Sequence, residues 1–303
     1  FLLFKKFITD KVNNWQKHFV FTTDKKEGIL RKEANKNNIL TLEVPDNVGG
    51  RFSVLSAVGL LPALAMGINV EELLLGANKM AEELTQAAMD KNMAWQIALA
   101  HFRFQKEKKI DTVVLIPYIY RLELFANWFR QLWAESIGKD GKGILPIKAI
   151  GPADQHSQIQ FYNQGKWVST FMFLKAKHYA SEIVINEKDI KELEYLHMTP
   201  VEDVIKFECE ATRLSMANNE RPSACLEIEC LDEQNLGALI ILFEMGIVYL
   251  AELLGVNAFD QPGVEFGKQY IYGLLGHPDY RHKAQEIEDK MKKIKEEKIT
   301  YKS

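Results

Sequence analysis

The stretch DTVVLIPYIYRLELFANWFRQLWAESIG, residues 111–138, decides the class of fold. Its first part, DTVVLIPYI, is a short apolar run typical of a strand that is buried on both faces. Its second part places Phe125, Phe129 and Leu132 at helical spacing, which predicts an amphipathic helix over residues 121–137. A buried strand that runs directly into such a helix is the repeating unit of an α/β protein, and a second α/β unit is predicted to begin here.

A similar unit precedes this stretch. HFVFTTD (18–24) is predicted to be a strand, residues 25–36 a charged helix, and ILTLEVPDNVGGR (39–51) a second strand that ends in a turn. Strand, helix and strand in that order indicate a crossover unit of a parallel sheet. Residues 52–104 are helical in pattern with a predicted break at 66–70, so they form a helical connector.

The remainder of the chain adds further strands and helices. Strands are predicted in WVSTFMFLKA (167–176), SEIVIN (181–186) and ACLEIEC (224–230), a long helix over residues 235–254, and a charged helix after Pro278. With 303 residues, 47% of them hydrophobic, the chain is long enough for two α/β domains. We therefore predict an α/β fold.

Composition argues against several classes of protein. The chain has 38 basic and 41 acidic residues and a formal net charge of -3, so no positive field favours nucleic acid or an anionic membrane. Three cysteines, Cys209, Cys225 and Cys230, fit a reducing compartment, and we expect a cytoplasmic protein. The longest apolar run contains Glu244 and Glu252, which predicts a buried helix rather than a membrane span.

Two polar motifs follow predicted strands or helices. In PDNVGGRFSVLSAVGL (45–60), two glycines precede Arg51, which would lie at the carboxyl end of a sheet, where open α/β folds bind ligands. A solvent-facing arginine after a turn explains the same pattern equally well. In QLWAESIGK, Gln131 and Glu135 share one side of a helix, and Glu135 lies near its unfavourable negative end. That position suggests a use for the carboxylate, although a single glutamate on a helix is usually just solvated.

Two more motifs lie in the second half of the chain. GPADQHSQIQFYNQG (151–165) is expected to be a polar loop around His156, a side chain suited to proton transfer near neutral pH. NAFDQPGVEFGKQY (257–270) is not a phosphate loop, because three residues separate its later glycines and Gln269 replaces the required Ser or Thr. Lys268 remains as a candidate. The sequence has neither HExxH nor CxxC, so neither a metal nor a cofactor is expected.

As an ordered set, VGGRFSVLSAVGL, QxxxES, GxxDQHSxxQ and FDQPGVEFGKQY resemble the bacterial glucose-6-phosphate isomerase family. The resemblance implies a metal-independent aldose–ketose isomerase of glycolysis and gluconeogenesis. It would interconvert glucose 6-phosphate and fructose 6-phosphate by ring opening and proton transfer through a cis-enediol(ate). A non-catalytic sugar-phosphate-binding regulator of the same fold is the alternative, but a regulator needs no base, and mannose 6-phosphate as an added substrate stays open.

The resemblance also implies roles for individual residues. Glu135 takes the place of the base between C2 and C1, and Arg51 lies by the enediolate. His156 and Lys268 take the places of the residues that help to open the sugar ring. Amides around His156 would bind sugar hydroxyls. The family's substrate contacts fall on Gly50, Gln131 and Gln261.

The resemblance further implies an architecture and a partner. The expected fold is a pair of three-layer αβα sandwiches with mainly parallel sheets, the sugar isomerase domain fold. Residues 1–85 would be the C-terminal part of a first domain plus the connector, and residues 86–303 a second domain with a helical tail. The family's Ser/Thr-rich phosphate loop is not found, so we expect the C-terminal two-thirds of a longer protein, an incomplete first domain and exposed apolar strand edges. A homodimer with His156 contributed across the interface is also implied.

Overall fold

The computed structural model describes residues 1–296 and divides into two compact units, one spanning Phe1–Ala258 and one beginning at Phe259. The strands of the first unit are β1 (Val20–Thr23), β2 (Leu40–Glu43), β3 (Thr112–Pro117), β4 (Leu145–Lys148), β5 (Ser169–Ala176), β6 (Val184–Ile185), β7 (Thr199–Pro200) and β8 (Ser223–Ile228). Its α-helices are α1 (Leu2–Thr9), α2 (Ile29–Asn37), α3 (Ala57–Ala65), α4 (Val70–Gln86), α5 (Met93–Lys108), α6 (Glu123–Ile137), α7 (Gln155–Gln164), α8 (Val201–Asn218) and α9 (Glu233–Leu254). The second unit contains α10 (Glu265–Leu274) and α11 (Arg281–Glu296).

The central sheet has the order β4-β3-β5-β8, and all of its strands are parallel. β3 lies inside this sheet and is buried on both faces, as its continuous apolar run predicts. Successive side chains of a strand point to opposite faces, and here Val113 and Leu115 enter one core while Val114 and Ile116 enter the other. This arrangement confirms the predicted α/β class with mainly parallel sheets.

Helices cover both faces of the central sheet. On one face α6 and α9 bring together Phe129, Trp133 and Phe243; the ring of Phe129 lies 4.9 Å from that of Trp133 and 5.4 Å from that of Phe243. On the other face Tyr162 of α7 and Met216 of α8 belong to a second core cluster. Helix, sheet and helix therefore form three layers around β3.

A smaller parallel pair precedes the central sheet. β1 and β2 flank α2 in the chain, and Val20 lies beside Leu40 in their register. The pair packs on a small core that contains Phe21, Ala34 and Ile39. Val20 is 41% exposed and Leu40 66% exposed, so apolar strand residues face outward as expected for this sheet.

The connector is three helices, and two of them pack against α9. α4 and α9 approach each other backbone to backbone: a Cβ on Gly76 would lie 2.0 Å from the carbonyl oxygen of Gln234, and one on Gly237 2.0 Å from that of Leu73. By length and composition α9 could cross a membrane. In this structure it packs on α4, α5 and α6, which agrees with the predicted buried helix.

The second unit is a helical hairpin held by a small polar cluster. The carboxylate of Glu286 on α11 accepts hydrogen bonds from the Nζ atoms of Lys290 and Lys283 at 2.8 and 3.1 Å, and from the hydroxyl of Tyr270 on α10 at 2.8 Å. These bonds, that of Lys290 first, lower the pKa of the Glu286 carboxyl to about 2. Polar contacts therefore link the charged helix to α10.

The structure differs from the sequence predictions in three places. The stretch expected to be a polar loop around His156 forms helix α7 from Gln155 onward, because Tyr162 and Ile159 give it an apolar face that packs in the second core. β4 was not predicted, since its four residues include a proline. SEIVIN contributes only β6, which pairs antiparallel with β7 outside the central sheet. Residues 297–303 of the predicted second domain lie outside the described residues.

Candidate active site

Arg51 lies in a 3₁₀ turn, Gly50–Phe52, that follows β2, and its side chain is almost fully buried. Its Nε donates a hydrogen bond to the hydroxyl of Ser136 at 2.8 Å, and its Nη2 donates to the backbone carbonyl of Ala258. Its Nη1 lies 3.4 Å from Oε2 of Glu135. A buried charge is tolerated only when oxygen partners surround it, and Arg51 has partners from two distant segments.

Glu135 lies in the last turn of α6, as predicted. Its Oε1 accepts a hydrogen bond from Nε2 of Gln131 at 3.2 Å, and its side chain is 32% exposed. The guanidinium of Arg51 offsets the repulsion between this carboxylate and the negative end of the helix. The carboxylate is therefore oriented from two sides and still reachable from solvent.

Gly50 lies directly before Arg51 in the same turn. Among the described residues, no heavy atom beyond those of its two chain neighbours lies within 4 Å of the position that a Cβ would take, and its φ lies outside the left-handed region. Neither packing nor backbone conformation in this chain requires a glycine there. The glycine leaves open, solvent-exposed space at its own position.

His156 does not lie beside Glu135 within one chain. α6 leaves the carboxyl end of β3 and returns to the amino end of β4, so Glu135 in its last turn lies toward the amino edge of the sheet. α7 starts after the carboxyl end of β4, and His156 in its first turn is exposed at the other edge. Along α6 alone the two edges are about 22 Å apart.

The amides near His156 are used within the protein. The side-chain NH₂ of Gln155 donates to the hydroxyl of Tyr118 and, at 2.7 Å, to Thr212 of α8. Gln160 donates to Gln164 one turn later at 2.8 Å. The expectation that these amides bind sugar hydroxyls finds no support in this arrangement, because Gln155 anchors α7 to α8 instead.

Lys268 and Gln261 belong to the second unit. Lys268 lies in the first turn of α10, and its Nζ is 2.8 Å from Oε1 of Glu265. The carbonyl of Gln261 accepts a hydrogen bond from the backbone N–H of Val264, where a 3₁₀ turn begins. Their placement beside Glu135 stays a prediction.

Three groups around Arg51 were not among the predicted site residues. These are the hydroxyl of Ser136, the carbonyl of Ala258 and the indole of Trp128, whose Nε1 donates to the backbone carbonyl of Arg51 at 2.9 Å. Ser136 is fully buried, and a hydroxyl on the buried side of an amphipathic helix was the signal that could have identified it.

A cavity of about 470 Å³ opens where the four strands of the central sheet end, at the edge opposite Glu135. Tyr118, Arg121, Pro152, Tyr179 and Cys230 are among the described residues that line it, and none of the predicted site residues is. The charged pair that the structure brings together, Glu135 with Arg51, is therefore not part of the lining of this cavity.

Comparison with known proteins gives a consistent result. A family described as phosphoglucose isomerase matches residues 3–293. The glucose-6-phosphate isomerase of Rubrobacter xylanophilus is 39% identical over 269 residues, covering 88% of this chain and 62% of the relative. The glucose-6-phosphate isomerase of Staphylococcus haemolyticus is 37% identical over 295 residues, covering 96% of this chain and 66% of the relative.

Solved structures agree with the fold. A hypothetical protein from Thermus thermophilus matches with a TM-score of 0.86 and 32% identity over 91% of this chain and 67% of that one. A glucose-6-phosphate isomerase from Chlamydia trachomatis matches in fold with a TM-score of 0.77 and 22% identity. The match covers 95% of this chain and 59% of that one. The chain thus spans about three-fifths to two-thirds of the length of its relatives. The match over residues 3–293, together with relatives above 35% identity, shows that the chain belongs to the phosphoglucose isomerase family.

Proposed function

We propose that the protein containing this chain interconverts glucose 6-phosphate and fructose 6-phosphate as a metal-independent aldose–ketose isomerase, a step of glycolysis and gluconeogenesis. The observation that carries the proposal is the buried guanidinium of Arg51, held 3.4 Å from the half-exposed carboxylate of Glu135. The names of the curated relatives support the choice of substrate.

Proton transfer follows from this pair. The Glu135 carboxylate removes the proton from C2 of the open-chain aldose, the C1–C2 double bond forms, and the carbonyl oxygen on C1 becomes negatively charged. Glu135 then returns the proton to C1 while the proton of the C2 hydroxyl passes to the oxygen on C1, which leaves a ketone at C2. One carboxylate serves both carbons when they present the same face, as a cis-enediol does.

The two groups supply different parts of the rate enhancement. A positioned general base contributes roughly 10²- to 10⁴-fold. A preorganised donor that faces the developing oxyanion contributes on the order of 10²- to 10³-fold. Arg51 can do this without a metal, since a guanidinium stays protonated at any working pH. Gln131 donates to Oε1 of Glu135, the carboxylate oxygen that does not face Arg51, and so helps to orient the base.

Ring opening is assigned to His156 and Lys268, with His156 supplied by the partner in a homodimer. The topology supports a contribution in trans, because one chain puts His156 and Glu135 at opposite edges of the same sheet. The family resemblance assigns Lys268 to the same ring-opening step, and Gly50 and Gln261 to contacts with the substrate.

Deuterium exchange tests the proposal. The full-length protein is incubated with fructose 6-phosphate in deuterated water, and the glucose 6-phosphate formed is examined for deuterium at C2. We expect incorporation in the wild type and a 10²- to 10⁴-fold slower reaction in Glu135→Gln with sugar binding retained. Glu123→Gln, on the first turn of the same helix and paired with Lys148 at 2.8 Å, is the control and should keep the wild-type rate. A non-catalytic regulator of this fold would incorporate no deuterium.

A further inference from the structure

We infer that Ser136 and Trp128 are positioning residues that hold Arg51 in place and keep its guanidinium from closing onto Glu135. The structural part of this inference follows from the contacts of Arg51 alone. Its catalytic consequence rests on the proposed function.

The distances around Arg51 show which contacts fix its orientation. The bond from Nε to the Ser136 hydroxyl measures 2.8 Å, a full hydrogen bond. The separation between Nη1 and the Glu135 carboxylate is 3.4 Å, longer than the 2.7–2.9 Å of a direct charge-assisted bond. The guanidinium is therefore held by the hydroxyl and by the Ala258 carbonyl more firmly than by the carboxylate.

α6 holds both the side chain and the backbone of Arg51. Trp128 lies seven residues before Glu135 and so faces the same side of the helix. Its Nε1 donates to the backbone carbonyl of Arg51 at 2.9 Å. Ser136, the residue after Glu135, is fully buried and accepts from Nε. The helix that carries the base thus also sets the position of the cation opposite it.

The consequence of losing Ser136 follows from the geometry of the two charged groups. A guanidinium and a carboxylate form a bidentate pair when nothing restrains them. With Nε released, Arg51 loses the contact that holds it on the Ser136 side, and the guanidinium can turn toward Glu135 although the Ala258 carbonyl still accepts from Nη2. A carboxylate engaged in this way is a poorer base, and the guanidinium no longer faces the oxygen on C1. Substrate binding depends less on this orientation than proton transfer does.

Kinetics test the catalytic part in the full-length protein. Ser136→Ala should lower kcat about 10- to 100-fold with KM within a few-fold, and Ser136→Thr, which keeps the hydroxyl, should recover most of the loss. Trp128→Phe should lower kcat several-fold. Trp133→Phe is its matched control on the same helix, since the buried Nε1 of Trp133 has no hydrogen-bond partner among the described residues; its kcat should not change.

Proton exchange at Arg51 tests the structural part without any substrate. In ¹⁵N-labelled protein, the Nε–H of Arg51, assigned by its loss in Arg51→Lys, should exchange slowly in the wild type and at least tenfold faster in Ser136→Ala. Should Ser136→Ala not fold, Ser136→Cys, with its weak sulfur acceptor, replaces it. Unchanged exchange, or an unchanged kcat in Ser136→Ala, overturns the inference. Faster exchange in Ser136→Ala, when the wild-type protein lacks isomerase activity, would overturn the proposed function and leave the positioning intact.

Discussion

At the residue scale, Gly50 is a position where a substitution tests ligand binding without disturbing the fold. In the part of the chain that the structure describes, the Cβ of an alanine there would meet no atom within 4 Å apart from those of its chain neighbours, and alanine adopts the backbone conformation without strain. Arg51 next to it is buried and held on several sides. Any cost of a methyl group at residue 50 is therefore expected in the binding of a molecule that contacts this residue, and not in the stability of the fold.

We predict that Gly50→Ala leaves stability within about 0.5 kcal/mol of the wild type and raises KM for fructose 6-phosphate roughly tenfold. Thermal melting and steady-state kinetics of the full-length protein measure the two effects. A variant with both stability and KM unchanged would show that the space beside Gly50 is not a substrate contact.

Glu244 is a second informative residue, in the middle of the apolar helix α9. Its Oε1 is buried without a hydrogen-bond partner among the described residues, and burial raises the pKa of the carboxyl to about 8. The folded protein therefore keeps this group protonated at pH values where the unfolded chain ionises it. The contribution of this group to the free energy of unfolding is therefore fully present below pH 4.5, and it decreases as the pH rises from 4.5 to about 8.

We predict that Glu244→Gln removes this dependence and raises the free energy of unfolding at pH 8 by about 1–3 kcal/mol. At pH 4 the difference between the variant and the wild type should be close to zero. Urea unfolding of both proteins at several pH values measures it. A constant difference across this range would contradict the raised pKa.

At the element scale, the crossing of α4 and α9 depends on two glycines. The carbonyls of Gln234 and Leu73 occupy the positions that side chains on Gly76 and Gly237 would need. Such close contact is possible only between residues without a Cβ, and it fixes the connector onto the core helix. Helical periodicity identified both helices, but it does not tell which glycine lies at a crossing.

We predict that Gly237→Ala lowers the free energy of unfolding by about 2–4 kcal/mol, because the two backbones must move apart. Gly246→Ala on the same helix is the matched control. Its Cβ would lie 3.6 Å from the nearest atom, the carbonyl oxygen of Ala94, so it should be neutral or stabilise by about 0.5–1 kcal/mol. Chemical denaturation compares the two, and equal effects would disprove the tight crossing.

α7 shows where local pattern is insufficient. The amides between Gly151 and Gly165 indicated a ligand-binding loop, yet Gln155 instead spans from α7 to Thr212 of α8 and the hydroxyl of Tyr118. The sequence looks the same whether a glutamine binds a sugar or a neighbouring helix. Only the position of α8, which starts well after α7 in the chain, decides between them.

At the scale of the whole molecule, the direction of the parallel sheet separates the candidate catalytic groups. Strands that run the same way put all helix starts at one edge and all helix ends at the other. Glu135 at the end of α6 and His156 at the start of α7 therefore cannot meet within one sheet. In the proposed homodimer, His156 of one subunit would join Glu135 of the other.

We predict that mixing two inactive variants, Glu135→Gln and His156→Ala, restores activity when their subunits exchange. A hybrid dimer has one site with an intact Glu135 and an intact His156 from the partner. Random exchange should therefore restore about a quarter of the wild-type activity. Subunits are exchanged by dilution from mild denaturant and assayed for isomerisation. Absence of recovery in a verified hybrid would place both residues of a site in one chain.

The sequence by itself determined the α/β class of this protein and most of its longer strands and helices, and the resemblance carried by its motifs named Glu135 as the candidate base. An apolar run predicts β3 and helical spacing predicts α6, because the pattern that marks a buried strand or a buried helix face lies within a few consecutive residues. The tertiary structure alone decided that Arg51 meets Ser136 across 85 positions and that His156 lies away from Glu135. Such contacts depend on how the strands order and which way each helix runs, and no local pattern encodes the distance between residues that only the packed sheets bring together.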